Sequence, residues 1–344
     1  MNQEWHQYLA KRKAHIDRSD IPTITGKHAS PVIYNITHLG LLFVSGRDST
    51  QFLQGQTTCD VATLTEQRSS PGALCNPKGR VVTTFTILKT ADSGYLLLLP
   101  TELLESVRQR LQRYVLRSDI RLEDVTDRWC IIGLSGRQLA PLLAEEEIEL
   151  ADESQSVARQ ADWISIRVWS ADERFLVLAS TAKTVTLWEQ LAGQKQFSEH
   201  DSGLWMCHEI ADGIPVITQA TSEAFVPQTI NLDLLGGISF DKGCYTGQEV
   251  VARMHYLGTL KRRMYLGSGT SGRTPNAGEP VFDAKTADER RVGTIVMAAQ
   301  CAPDRYQFLA VLQTASAEAG DLRIDAADGD PLTLLPMPYG LQTQ

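Results

Sequence analysis

No apolar run in this 344-residue sequence reaches the roughly 18–20 residues needed to cross a bilayer as a helix, so no membrane partner is expected. The opening Met1-Asn-Gln-Glu-Trp-His lacks the basic-then-apolar pattern of a secretory leader, and a cytoplasmic protein is expected. Cationic charge is also short. Lys+Arg 33 against Asp+Glu 41 leave a formal net charge of -8, which disfavours direct nucleic-acid binding through bulk electrostatics. One local basic run, Lys261-Arg262-Arg263, stands apart from that balance. Cysteine is sparse and scattered: Cys59, Cys75, Cys130, Cys207, Cys244 and Cys301 include no CxxC and no zinc-knuckle spacing. No metal site is expected, and a permanently held iron–sulfur cluster is disfavoured. In a reducing compartment each cysteine is expected as a small buried apolar residue. Cys244, with glycine before it and polar groups after it, is the exception. P-loop, GxSxG and HExxH patterns are absent as well.

What is present is the material of a soluble globular protein, 42% hydrophobic and 22% charged. The length exceeds one ordinary core and implies two or three domains. Apolar periodicity predicts helices over 4–13, from Asp48 as N-cap to Gly55, from Thr101 as cap through Leu111 and Tyr114, and over 138–145 and 185–191. Strands are predicted over 41–44, 73–75, 81–88, 95–99, 129–134, 163–168 and 175–179, several joined by short turns such as Asn76-Pro77-Lys78-Gly79-Arg80. That mixture reads as α+β with split βαβ units rather than a doubly wound sheet. After Met264, short strands over 263–266, 280–282, 292–298, 306–312 and 322–324 alternate with Gly, Pro, Asn and Asp, the pattern of a small β-barrel. The boundary is placed near 257–259, giving 1–258 as an α+β region and 259–344 as the barrel. Gly267-Ser-Gly269-Thr-Ser-Gly272 fits the dinucleotide fingerprint GxGxxG. However, Pro275, Gly278 and Pro280 forbid the helix that fingerprint requires, so it reads as a barrel loop.

The densest chemistry lies in Lys242-Gly243-Cys244-Tyr245-Thr246-Gly247-Gln248-Glu249, continuing to Arg253. Gly243 and Gly247 are expected to take positive φ and let the backbone approach a ligand. The loop is expected to feed a short helix beginning near Gln248, whose free N–H groups favour an anion. Upstream, Glu209 lies in Met206-Cys-His-Glu209-Ile-Ala-Asp-Gly213-Ile-Pro215, a helix running into a Gly–Pro stop. A carboxylate there is either solvated or accepts paired N–H bonds from a flat heterocycle in a dry pocket. Phe225-Val-Pro-Gln-Thr-Ile-Asn231-Leu-Asp233 joins the two stretches.

These stretches, from Glu209 to Pro215, from Phe225 to Asp233 and from Gly236 to Arg253, together with Gly46-Arg-Asp-Ser-Thr-Gln-Phe-Leu-Gln-Gly55-Gln-Thr-Thr-Cys-Asp60, resemble the YgfZ family. That family is the folate-binding, iron–sulfur-associated relative of the glycine-cleavage T-protein. The resemblance spans most of the chain. It implies a three-lobed T-protein-like fold, two interleaved split-βαβ lobes plus a C-terminal β-barrel, with tetrahydrofolate or a derivative as cofactor in a central channel. Glu209 is similar by position to the glutamate that pairs with the pterin ring. Lys242, Tyr245, Gln248 and Arg253 are implied as further folate-binding residues, and Cys244 as a reactive thiol at the channel mouth.

One departure matters. T-proteins carry a pair of aspartates where this sequence has Thr83 and Thr84, and threonine cannot serve as a carboxylate base. The first reading is therefore a folate-binding accessory protein in iron–sulfur cluster synthesis or repair, with assembly or client proteins as partners. Through cluster enzymes it would support tRNA modification. The second is a folate-dependent one-carbon transferase acting on an amine, which Thr83 and Thr84 oppose. The third is a direct tRNA-binding module resting on Lys261-Arg262-Arg263, opposed by the overall acidity.

Overall fold

The computed structural model describes residues 2–12, 31–92, 94–136, 139, 143, 148–170, 172–193, 197–258, 260–270, 273–285 and 291–341. In chain order its regular elements begin with α1 (Gln3–Arg12), β1 (Val32–Asn35), β2 (Leu39–Ser45), α2 (Ser49–Gln54), β3 (Ser69–Cys75), β4 (Val81–Lys89), β5 (Tyr95–Pro100) and α3 (Thr101–Gln112). There follow β6 (Arg121–Asp124), β7 (Cys130–Ser135), β8 (Val157–Gln160), β9 (Trp163–Arg167), β10 (Arg174–Ala179), α4 (Thr181–Ala192), β11 (Ser198–His200) and α5 (Ser202–Ala211). The C-terminal part comprises α6 (Gln248–Leu257), β12 (Arg262–Gly269), β13 (Pro280–Asp283), β14 (Arg291–Ala302), β15 (Arg305–Gln313), α7 (Thr314–Ala319), β16 (Leu322–Ile324) and β17 (Leu332–Leu335).

The chain forms two compact units whose segments interleave along the sequence. The first comprises Met1–Ser49, Leu64–Ser70 and Thr86–Trp205; the second comprises Thr50–Thr63, Pro71–Phe85 and Met206–Gln344. The first unit holds a six-stranded sheet ordered β11-β1-β7-β10-β9-β8, in which β1 and β11 run parallel and the remaining pairs antiparallel. Its central strands β7, β10 and β9 are buried along nearly their whole length, while the edge strands β11 and β8 are polar, and the core gathers Ile33, Ile132, Trp163, Val177, Leu187 and Trp188. Helix α1 joins it because Trp5 and Leu9, four residues apart, fall on one face, and Trp5 meets Trp188 edge to face at 5.4 Å. The strands β5, β2 and β6 lie side by side in a second sheet, ordered β3-β4-β5-β2-β6. Helix α3 packs by its stripe of Leu103, Leu104, Val107 and Leu111.

The second unit holds a six-stranded antiparallel sheet ordered β16-β13-β14-β15-β12-β17. An antiparallel bridge between Arg323 and Pro331 brings its outer strands together, which closes a barrel around Val281, Ile295, Phe308 and Leu312. The architecture is thus α+β with a C-terminal β-barrel. Gly267 and Gly269 of the GxGxxG match sit inside β12, and among the described residues no helix lies between β12 and β13. A Cβ at either glycine would strike the Phe308 or Tyr306 ring on β15, so the glycines make room for aromatic packing.

Two local expectations, on Thr101 and on Tyr114, are corrected. Thr101 is the first helical residue of α3 rather than its cap; Pro100 holds the cap position, without a side-chain bond. Asp48 stands immediately before α2, and its carboxylate accepts the Asp119 N–H at 2.7 Å. Tyr114 lies beyond α3 and is exposed. The helix expected over 138–145 falls mostly outside the described residues, of which Leu139 and Leu143 are helical and buried.

Candidate functional site

The candidate residues lie in the second unit, on a loop-and-helix frame that backbone hydrogen bonds hold in place. Helix α5 is apolar almost all round: Trp205, Cys207 and Ile210 are fully buried, and Glu209 is only 7% exposed. It stops at Gly213, whose φ of 67° favours glycine, and Ile214 N–H donates to the Glu209 carbonyl at 2.9 Å. A carboxylate is thereby carried into the interior at the last turn of a helix, where burial is costly without a charge-assisted partner.

The turn after Glu209 is fastened on two sides. The Thr84 hydroxyl donates to Pro215 O at 3.0 Å and accepts Ile217 N–H at 3.2 Å. Thr83 is wholly buried, its hydroxyl turned back onto the Thr84 carbonyl. The neutral Thr84 hydroxyl thus knits β4 to the turn after Glu209. On the other side the Tyr339 hydroxyl donates to Gly213 O at 2.7 Å, and a Cβ at Gly213 would meet Tyr339 and Met337 at 2.8 Å. Tyr339 and Met337 were not singled out from the sequence. Pro-Met-Pro-Tyr339 lies far along the chain from Glu209, and only the folded turn brings them together.

Lys242 points inward. Its Nζ donates to Thr57 O at 2.8 Å and to Cys59 O at 2.6 Å, and it sits 5.2 Å from the centre of the Tyr245 ring. Burial lowers its pKa to about 8, against the counter-influence of Cys59 and Asp60. The Lys242 ammonium therefore clips the 236–247 loop onto the segment after α2. Ser239 N–H to Thr58 O at 2.9 Å and Thr246 N–H to Gly55 O at 3.2 Å continue that seam. Tyr245 is buried beside Cys75, its phenol pushed up by desolvation, and its hydroxyl has no hydrogen-bond partner among the described residues. A buried hydroxyl in that condition calls for a polar atom supplied from elsewhere. Burial also pushes the Cys75 thiol up to about 12.

Gly247 takes φ 85° and N-caps α6, and a Cβ there would lie 2.5 Å from Asn76 O. Gly79, at φ 68°, reciprocates against Val250. The two glycines let the Asn76–Arg80 turn lock onto the start of α6. Gly243 does not take positive φ and has open space around it, contrary to expectation. Cys244 and Arg253 are exposed, and Gln248 is half-buried at the first position of α6. The structure thus packs Lys242 against Tyr245 and leaves Cys244 and Arg253 facing solvent.

The linking segment is anchored by side chains. Gln228 Nε2 donates to Val251 O at 2.6 Å and Asn231 Nδ2 to Met264 O at 2.8 Å. Arg263 makes a two-pronged pair with Asp233 at 2.7 and 2.9 Å and is 4% exposed. The basic run is therefore split: Lys261 and Arg262 face solvent while Arg263 is a structural residue.

Cys207 and Cys301 are disulfide-bonded, where sequence reasoning expected isolated buried thiols. Their 94-residue separation hides the pairing from any spacing rule. Cys59, Cys75 and Cys130 are free and buried. Among the described residues no cluster of three or more His, Cys, Asp or Glu side chains can hold a metal, and no helix is long and apolar enough to cross a membrane.

Comparison with known proteins follows the same lines. Residues 27–171 match the family model described as the GCVT N-terminal domain. Two curated relatives, each named tRNA-modifying protein YgfZ, come from Yersinia pestis strain Pestoides F and Yersinia pestis bv. Antiqua strain Angola. Each is 32% identical over 320 residues, covering 93% of this chain and 96% of the relative. The crystal structure of glycine cleavage system aminomethyltransferase T from Bartonella henselae superposes with a TM-score of 0.74 at 15% identity, covering 92% of this chain and 88% of that one. This last likeness shows the T-protein fold.

Proposed function

Since this chain belongs to the YgfZ family, we propose that it is a tetrahydrofolate-binding accessory protein whose activity supports tRNA modification through iron–sulfur enzymes. The observation that carries the folate reading is the Glu209 carboxylate, buried at the end of α5 in a turn fastened by Thr84 and Tyr339. A carboxylate so placed accepts the paired N–H groups of an aminopyrimidinone ring, and a dry surrounding makes that charge-assisted pairing selective. Tyr245 supports the same reading, because its orphaned buried hydroxyl fits a ligand heteroatom.

Residues would divide the work as follows. Glu209 orients the heterocycle, and Tyr245 offers its hydroxyl and ring. Lys242 holds the loop that presents both Tyr245 and Cys244. Gln248 and Arg253 stand at the start and along the exposed side of α6, where a cation meets an anionic ligand tail or protein partner. A reduced folate supplies one-carbon units or reducing equivalents. Cys244, exposed beside the loop, is the thiol available to an iron–sulfur assembly or client protein. Aminomethyl transfer of the T-protein kind is disfavoured, since Thr84 is engaged with Pro215 and Ile217 and holds no carboxylate.

Two measurements test this. Calorimetric titration with tetrahydrofolate should show saturable binding by the wild type and at least tenfold weaker binding by Glu209→Ala. In cells lacking the chromosomal copy, Cys244→Ala should fail to restore iron–sulfur-dependent tRNA modification. Full restoration would remove the thiol from the account.

A further inference from the structure

One of the bonds fastening the Glu209 helix is a bond that thiol chemistry can open. Cys207, two residues before Glu209 on α5, is joined to Cys301 on β14 with a Cα–Cα distance of 5.7 Å. At 3.6 residues per turn, side chains two apart leave a helix on opposing sides. The disulfide therefore pins one side of α5 to the barrel sheet while the Glu209 carboxylate leaves from the other. Just beyond, Tyr339 holds Gly213, and Ile214 closes the helix on the Glu209 carbonyl. With the disulfide intact the last turn of α5 is tethered on both sides of Glu209. With it open, the covalent tether before Glu209 is lost while the tether after it remains.

We propose that Cys207 and Cys301 form a thiol–disulfide switch: the oxidised pair fixes Glu209 for the folate heterocycle, and the reduced pair loosens it. This rests on the folate reading above. The chemistry is ordinary exchange with a low-molecular-weight disulfide such as oxidised glutathione. One cysteine thiolate attacks it, forming a mixed disulfide and releasing one thiol. The second cysteine thiolate then attacks the mixed disulfide, forming the Cys207–Cys301 bond and releasing a second thiol. Two electrons pass to the small disulfide and two protons to its thiol products; reduction is the reverse. Cys207 is 0% and Cys301 3% exposed, so exchange must wait for local opening of the α5 end or of β14. A ligand that holds α5 closed slows reduction as well as disfavouring it.

Linkage provides a readout independent of affinity. If the oxidised form binds a ligand tenfold more tightly, the ligand must favour the disulfide tenfold, and saturation moves the two-electron midpoint by about 30 mV towards more negative values.

The test uses the full chain and 5-formyltetrahydrofolate, which withstands thiol–disulfide buffers. Affinity is measured on protein oxidised with oxidised glutathione and on protein reduced with dithiothreitol. Peptide mapping confirms the state of Cys207 and Cys301 and separates it from glutathione added at the exposed Cys244. About tenfold tighter binding by the oxidised form, together with the midpoint shift and with Cys301→Ser binding as the reduced form does, is the expected result. Equal affinities within twofold, or tighter binding by the reduced form, overturn the switch and leave the folate reading standing. Binding by neither form overturns both. If Cys301→Ser does not fold, the two redox states of the wild type still decide.

Discussion

Lys242 shows how one side chain can be both a charge and a structural clip. Its ammonium is spent on Thr57 O and Cys59 O, so Lys242→Met leaves two buried carbonyls without donors and should cost about 1–3 kcal/mol in chemical denaturation. The cost depends on pH. Burial lowers the folded-state pKa from 10.5 to about 8. Between those values the unfolded chain holds a proton that the folded chain has released, so rising pH favours the folded state. The stability advantage of wild type over Lys242→Met should therefore grow from pH 8 to pH 10; an advantage that stays flat or shrinks contradicts this placement of the ammonium. The glycines of the same loop separate cleanly. Gly247→Ala adds a Cβ 2.5 Å from Asn76 O at φ 85° and should destabilise by about 1–3 kcal/mol, whereas Gly243→Ala, with open space around it, should stay within about 0.5 kcal/mol. Thermal melts of the two variants side by side check the contrast. From the sequence both glycines looked alike, because positive φ is a property of the folded loop.

At the scale of elements, the segment from Gln228 to Asp233 is riveted to α6 and β12 by buried polar side chains. Arg263 is the centre of that riveting, pairing with Asp233 and donating to Gln228 O. Removing one member of a buried pair strands the other, so Asp233→Leu should cost about 3–5 kcal/mol. A urea midpoint unchanged from wild type would show the pair to be dispensable. Reading Arg263 as part of a basic surface run was the natural inference from Lys261-Arg262-Arg263, yet its neighbours and its burial diverge once β12 pairs. Strands with a clear apolar run, such as Val292 to Ala298 and Tyr306 to Leu312, were legible. β6 and β11 were not, since Arg121-Leu-Glu-Asp and Ser198-Glu-His carry one apolar residue between them and are strands only by virtue of their neighbours. The cap of α3 misled as well: Thr101 begins the helix, and Pro100 stands before it without a side-chain bond.

At the scale of the whole molecule, the sequence weaves twice between its two units before the last segment, Met206–Gln344, completes the second. The α+β class and the C-terminal barrel were readable from turn chemistry and strand spacing, and the T-protein likeness agrees with them. The candidate site was readable only through motif resemblance, because Glu209 in Cys-His-Glu-Ile is unremarkable until α5 buries it. The Cys207–Cys301 bond and the Tyr339 tether were invisible for the same reason: they join residues 94 and 126 positions apart. Both converge on the turn that carries Glu209, and the central claim is that this turn is built for a folate ring. The most direct test is titration of the wild type and the near-isosteric Glu209→Gln with 5-formyltetrahydrofolate. Replacing the carboxylate by an amide removes a charge-assisted pairing and should weaken binding by roughly ten- to a hundredfold without unfolding the protein. Equal affinity for the two proteins, or no binding by the wild type, would contradict it.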